Sequence, residues 1–141
     1  MQRLLSQLAL RVSARGEEIA ATLRHLAQID LLSAKAQYAY QFDMTCPEMA
    51  ERGPLQLIQA RHPLLVEQAH RQEKAGVAPD RRHDVVPIDV RLGSDFDLLV
   101  ITGSNTGGKT VTLKTVAMLA LMAQSGMHIP AHRGSKLPIF R

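Results

Sequence analysis

Cysteine is nearly absent from this 141-residue chain: Cys46 stands alone, which excludes an intramolecular disulfide framework and any multi-cysteine zinc site. That usage fits a cytoplasmic address. Tryptophan is missing and aromatic residues make up 4%, so Leu, Ile, Val, Ala and Met must build any core. No apolar run reaches the roughly 18 residues that a membrane-crossing helix needs, and no membrane partner is expected. Acidic residues stop early. After Asp97 there is no Asp or Glu, and the remaining charges, Lys109, Lys114, Arg133, Lys136 and Arg141, are all positive. What is present has a globular balance, 45% hydrophobic and 21% charged, which excludes a disordered or collagen-like chain. The length admits one domain or parts of two. A net charge of +4 and a pI of 9.6 permit a nucleic-acid partner without requiring one.

The first third of the chain has a helical period. Arg3, Arg11 and Arg15 without an acid superficially resemble an organellar transit peptide, but Leu5, Leu8, Ala9 and Val12 share one helical face. From Glu17 to Tyr40 the stripe continues through Ile19, Leu23, Leu26, Ala27, Leu31, Ala34 and Tyr38. The pattern predicts a single long helix from about residue 2 to 42, despite Gly16, which costs about 1 kcal/mol inside a helix. At about 1.5 Å per residue such a rod would reach roughly 60 Å, more than the diameter of a 15 kDa globule.

Thr45-Cys46-Pro47 and Arg52-Gly53-Pro54 punctuate the chain and mark the expected domain boundary, 1–50 against 51–141. Beyond it the period changes. Residues 55–60 read as a strand stopped by His62-Pro63, and residues 73–84 as a polar loop. Ile88, Val90 and Leu92 alternate with polar residues as in a half-buried strand. The continuous apolar run Leu98-Leu99-Val100-Ile101 predicts a strand covered on both faces in a parallel sheet. A largely apolar helix is expected from Lys109 to Ser125, closed by Gly126, with a further strand beginning in 127–131.

One motif carries chemistry. Gly103-Ser104-Asn105-Thr106-Gly107-Gly108-Lys109-Thr110 matches G-x-x-x-x-G-K-[ST], the phosphate-binding P-loop, between an expected strand and an expected helix. The glycines let backbone N–H groups form a concave nest for phosphate oxygens, and the helix aims its positive end at the same anion. Lys109 would reach the β- and γ-phosphates and the Thr110 hydroxyl would ligate Mg²⁺. Hydrolysis needs in addition a carboxylate on a neighbouring strand and a group that positions water. With no acid after Asp97, no catalytic residue is assigned here, and the acidic partner is expected beyond Arg141. A small P-loop kinase would need an acidic base and a lid, and neither is visible.

Other residues read more plainly. His128 and His132 have an i, i+4 spacing, but Pro130 denies them the helix that would align them as metal ligands. Arg61-His62-Pro63 reads first as a strand end, with contact to a nucleotide as the other reading. Arg81, Arg82 and His83 form a small basic loop, either solvated or in contact with nucleic acid. Cys46 beside Pro47 reads as an ordinary buried thiol, and Met118, Met122 and Met127 as packing residues.

The stretch from Val100 to Val116, with Asn105 inside the loop and Thr110-Val111-Thr112-Leu113-Lys114-Thr115 after it, resembles the MutS family of DNA-repair ATPases. It looks most like the second bacterial branch, linked to recombination control rather than mismatch recognition. Asp30-Leu31-Leu32-Ser33-Ala34-Lys35-Ala36 and Ala60-Arg61-His62-Pro63-Leu64-Leu65 agree, so the likeness covers roughly residues 17–138. The resemblance implies an α/β architecture: the end of a helical core and lever in 1–50, then the first part of a P-loop ATPase domain with an ABC-ATPase-like mixed sheet in 51–141. It implies ATP and Mg²⁺ as ligands, held through Gly103 to Val111, and a homodimeric parent that acts on DNA. Two positions depart from the pattern. Ser104 replaces a usual proline, and near Val86-Pro87 the aromatic that stacks on adenine in the mismatch-repair branch is missing. The chain also stops before the family's acidic strand, so it reads as a fragment that binds nucleotide weakly and does not turn over. The alternative is a non-catalytic remnant that holds nucleotide weakly or pairs with a full-length relative.

Overall fold

The computed structural model describes residues 2–76, 85–103 and 108–140. Two compact units divide the chain, Met1–Gln37 and Tyr38–Arg141. The first contains α1 (Gln2–Ser13) and most of α2 (Gly16–Gln41). The single helix expected over 2–42 is therefore two helices. Arg15 N–H turns to the Val12 carbonyl at 3.1 Å, an i−3 contact that tightens and ends the first, and Ile19 N–H bonds the Arg15 carbonyl at 3.0 Å to open the second. Gly16 sits at the start of α2, where its interior penalty does not apply, and Glu17 and Glu18 follow in the first turn, at the positive end of the helix dipole. The expected apolar stripe is on these helices but the described residues do not cover it. No residue of α1 is buried, and Leu5 and Leu26 are 61% and 55% exposed.

The second unit is α/β with a mixed four-stranded sheet. Its strands are β1 (Glu48–Ala50), β2 (Leu55–Ala60), β3 (Ile88–Leu92) and β4 (Lys136–Pro138), in spatial order β1-β4-β2-β3. β1 and β4 run parallel, with Met49 opposite Leu137, while β2 is antiparallel to both β4 and β3. The β2–β3 register shifts between Leu57 and Ala60, a bulge that carries Gln59 into a left-handed conformation at φ 49°. Asp89 holds this residue, accepting from the Gln59 N–H at 2.8 Å and from its side-chain amide at 3.1 Å.

Two helices complete this unit. α3 (Pro63–Lys74) has no counterpart in the sequence reading; Pro63 occupies its first turn, where the missing N–H is no loss. α4 (Lys109–Gln124) forms as expected, and Gly126 at φ 70° follows its carboxyl end. Thr115, Leu119 and Ala123 recur at i, i+4 and i+8, so one face of α4 is buried. That face packs with Leu55 and Leu57 of β2, Val90 of β3 and Leu137 of β4 into one core that also takes in Ile129 and Ala131.

Three expectations fail. Residues 98–102 form no strand: none of the four strands pairs with them, and Leu98 and Val100 are 77% and 69% exposed. An apolar run becomes a covered strand only where neighbours supply ladder bonds on both sides, and among the described residues none does. Segment 127–131 contributes only an isolated bridge between Ile129 and Thr45. Cys46 is exposed, not buried. The polar loop expected over 73–84 begins later, since Glu73 and Lys74 are the last turn of α3; residues 77–84, including Arg81, Arg82 and His83, lie outside the described residues.

Leu119 has no exposed surface, whereas Leu121 two positions on is 67% exposed. Leu119→Ala is expected to lower stability by about 2–5 kcal/mol, and Leu121→Ala to change it by no more than about 0.5 kcal/mol. Urea denaturation followed by circular dichroism checks the contrast.

Candidate functional site

The buried face of α4 fixes where its amino terminus lies, and the glycine-flanked loop feeds directly into it. Gly108 is the residue before the helix and sits in the left-handed region at φ 77°, a conformation that costs an L side chain about 1–2 kcal/mol. Its carbonyl starts the helix, accepting from Thr112 N–H at 2.9 Å and from the Thr112 hydroxyl at 3.1 Å. No side chain caps this end by a hydrogen bond, and no acid lies in the first turn. The positive pole of the helix is therefore unanswered by side-chain charge.

Lys109 reaches back across the loop and its Nζ donates to the Gly103 carbonyl. Gly103 is at φ 142°, so the loop enters and leaves through conformations that favour glycine. The structure thus brings Gly103, Gly108 and Lys109 together at the start of α4, with the exposed Thr110 and Val111 in the first turn. Ser104, Asn105, Thr106 and Gly107 lie outside the described residues.

A cavity of about 460 Å³ opens beside this turn. Gly108, Thr112 and Thr115 line one side; His62 with Gln68 and Gln72 of α3 lines another. Val85, Val86 and Ile88 supply aliphatic wall, and the His62 imidazole is the one ring among the described lining residues. Gln68 and Gln72 escaped the sequence reading because α3 did. Pro63 in a first turn, followed by Leu64, Leu65 and Ala69 at helical spacing, was the signal for it.

His62 is 9% exposed, and its Nδ1 is buried with no hydrogen-bond partner among the described residues. Burial, and secondarily the Lys114 ammonium, hold this imidazole below its ordinary value of 6.5 and so favour its neutral form. His128 and His132 fall in a non-helical segment around Pro130, as the spacing argument required. No group of three or more His, Cys, Asp or Glu able to hold a metal exists among the described residues, and none of their helices is long and apolar enough to cross a membrane.

Comparison with known proteins gives a consistent family. Residues 99–140 match the family described as MutS domain V. Over its whole length the chain is 45% identical to an "Endonuclease MutS2" of Pelotomaculum thermopropionicum and 44% identical to one of a Geobacillus species, 141 residues aligned in each case. It is 44% identical over 140 residues, 99% of its length, to a "Putative endonuclease MutS2" of Bacillus subtilis. In all three alignments the chain spans only 16% of the relative.

The depressed His62 sets a sign for pH. Its folded value lies below its unfolded one, so in that window the unfolded chain binds more protons; its contribution is complete above about pH 6.5 and is lost as pH falls through the lower folded value. Melting temperatures between pH 8 and 5 are expected to fall more steeply in the natural chain than in His62→Gln. Parallel curves would remove His62 as the cause.

Proposed function

Because the chain is MutS-family sequence of the MutS2 type, we propose that it is the ATP-binding segment of a DNA-acting MutS-like ATPase that works in DNA repair or recombination control. The observation that carries the reading is the amino terminus of α4, uncapped and free of acid in its first turn, with a left-handed glycine before it and a lysine folded over the loop. Helix ends of this kind bind phosphate through N–H groups and the helix dipole. In this reading Gly103, Ser104, Asn105, Thr106, Gly107 and Gly108 supply the phosphate contacts, joined by Val111, the third residue of α4. Lys109 exchanges the Gly103 carbonyl for phosphate oxygen, and Thr110 offers its hydroxyl to Mg²⁺. When bound, Mg²⁺ neutralises charge that develops on the phosphates.

The 460 Å³ cavity beside Gly108 and Thr112 has the size of a small-molecule site and takes the nucleoside, with contacts from aliphatic side chains and the Gln68 and Gln72 amides in place of aromatic stacking. In this reading residues 1–50 are the end of a helical core and lever, and 51–141 belong to the ATPase domain of a cytoplasmic homodimer. Within the second unit a route of contacts runs from α4 to the last residues of α2. α3 packs on α4, and His70 of α3 meets the Phe42 ring at 5.4 Å, immediately after α2. Tyr38, in the last turn of α2, meets the same Phe42 ring at 4.8 Å, and burial with the nearby Glu67 carboxylate raises its hydroxyl above the usual 10.0.

Titration with a fluorescent ATP analogue tests the reading. Weak binding is expected, with a loss of at least about ten-fold in Lys109→Ala and no steady turnover by the 141-residue chain. Equal affinity in the variant would overturn the site assignment. In hydrogen exchange, the analogue is expected to slow amides 38–42; if they are unmoved, the route through α3 is wrong.

A further inference from the structure

A second concavity lies in the same unit and shares no lining residue with the first: a cleft of about 870 Å³ lined by Phe42, Cys46, Arg61, His128, His132 and Arg133 among others. We infer that this cleft binds single-stranded nucleic acid through its phosphate backbone.

The floor is stiff. Thr45 and Ile129 exchange backbone hydrogen bonds at 2.9 Å each way, and the Thr45 hydroxyl donates to the Ala131 carbonyl at 2.7 Å. Arg61 N–H bonds the Pro130 carbonyl at 2.8 Å, and His132 N–H the Ile58 carbonyl at 2.7 Å. The buried Ser135 hydroxyl locks this frame, donating to the His132 carbonyl at 2.8 Å while accepting from Ile58 N–H at 3.1 Å. Among the described residues, both non-glycine residues with positive φ, Asp43 at 47° and Gln59 at 49°, lie on the wall of this cleft. Asp43 ends α2, where the Met44 N–H closes on the Ala39 carbonyl at 2.8 Å; Gln59 is the bulge that Asp89 pins. The side chains of the cleft therefore stand on a frame already paid for in backbone geometry.

Charge selects the ligand. The guanidiniums of Arg61 and Arg133 have no carboxylate partner among the described residues, whereas Arg71 pairs with Glu67 and Arg91 with Asp95. Asp43 is the only carboxylate among the described lining residues. The N–H groups of Thr45, Arg61, Ala131 and His132 are spent inside the frame, which leaves the side chains as the main source of donors for phosphate. What remains is two guanidinium forks on separate segments, suited to successive phosphates of a strand. The partly exposed Phe42 ring, fixed by its edge contacts with Tyr38 and His70, adds a stacking surface for a base. An acidic peptide would use the charges but not the ring.

Cys46 gives a local readout, since it is exposed, lines the cleft and is the chain's one thiol. Alkylation of Cys46 by iodoacetamide is measured in the full chain with and without a twelve-residue oligothymidylate, beside anisotropy titrations of the same oligonucleotide across salt. The oligonucleotide is expected to slow alkylation about ten-fold at low salt. Arg61→Ala with Arg133→Ala is expected to abolish that protection and to lower the slope of log affinity against log salt by about 1.4, two phosphate contacts at roughly 0.7 each. Both arginines are exposed, so the variant's circular dichroism spectrum is expected to match the natural chain's. No oligonucleotide binding, binding without protection of Cys46, an unchanged salt slope in the variant, or equal protection by a poly-glutamate peptide would each overturn the inference.

Discussion

One face of α4 holds the rest in place. Leu119, with no exposed surface, lies between Thr115 and Ala123 on that face, and the small side chains of Ala120 and Ala123 let the helix come close to the sheet. Opposite are Leu57, Val90 and Leu137, one from each of β2, β3 and β4, so a single helix face ties three strands together. Interiors packed this way respond to position at the scale of a methylene. The consequence is felt at the helix's other end. With its body clamped, α4 presents its first turn in a fixed direction, and Gly108, Lys109 and the cavity beside them inherit that direction. The chemistry proposed for the loop depends on this packing more than on any contact made by the loop itself.

The opposite side of α4 shows what the core leaves over. Leu113 and Leu121 are 62% and 67% exposed, and they border a cleft of about 600 Å³ together with Leu98, Leu99, Ile101 and Phe140. A helix that is apolar on more than one side is a helix meant for burial on more than one side. Residues 98–102 carry the same message, an apolar run whose backbone bonds to no partner among the described residues. An apolar surface of this kind marks an interaction site or an aggregation hazard. The segment immediately before the loop is therefore positioned by covalent continuity and side-chain contact with α4, not by a ladder of hydrogen bonds.

These contrasts explain which parts of the structure were legible in the sequence. β2, β3 and α4 announce themselves because each is long enough for its period to repeat, and each period follows from burial of one face. β1 and β4, three residues each, are too short to show an alternation; pairing across a separation of nearly ninety residues creates them. The helix break at Ala14-Arg15 was masked by a stripe that runs in phase on both sides of it. At the site, the spacing from Gly103 to Thr110 points to phosphate in the sequence, and of that stretch Gly103, Gly108, Lys109 and Thr110 are among the described residues. Gln68 and Gln72 are not readable, because they reach the cavity only when α3 lies against α4.

The end of β2 brings the two concavities into one mechanical element. Successive side chains of a strand point to opposite faces. Accordingly Ala60 and His62 line the cavity beside Gly108, while Gln59 and Arg61 line the cleft that holds Cys46 and Arg133. α3 repeats the division, with Leu65 facing one space and Val66 the other. Pro63 then fixes the backbone between strand and helix, so the junction does not swivel freely. A shift of this strand end that moves His62 relative to the first turn of α4 must carry Arg61 with it, because the two side chains hang from adjacent residues of a stiff segment. Neither space can change shape there without altering the other.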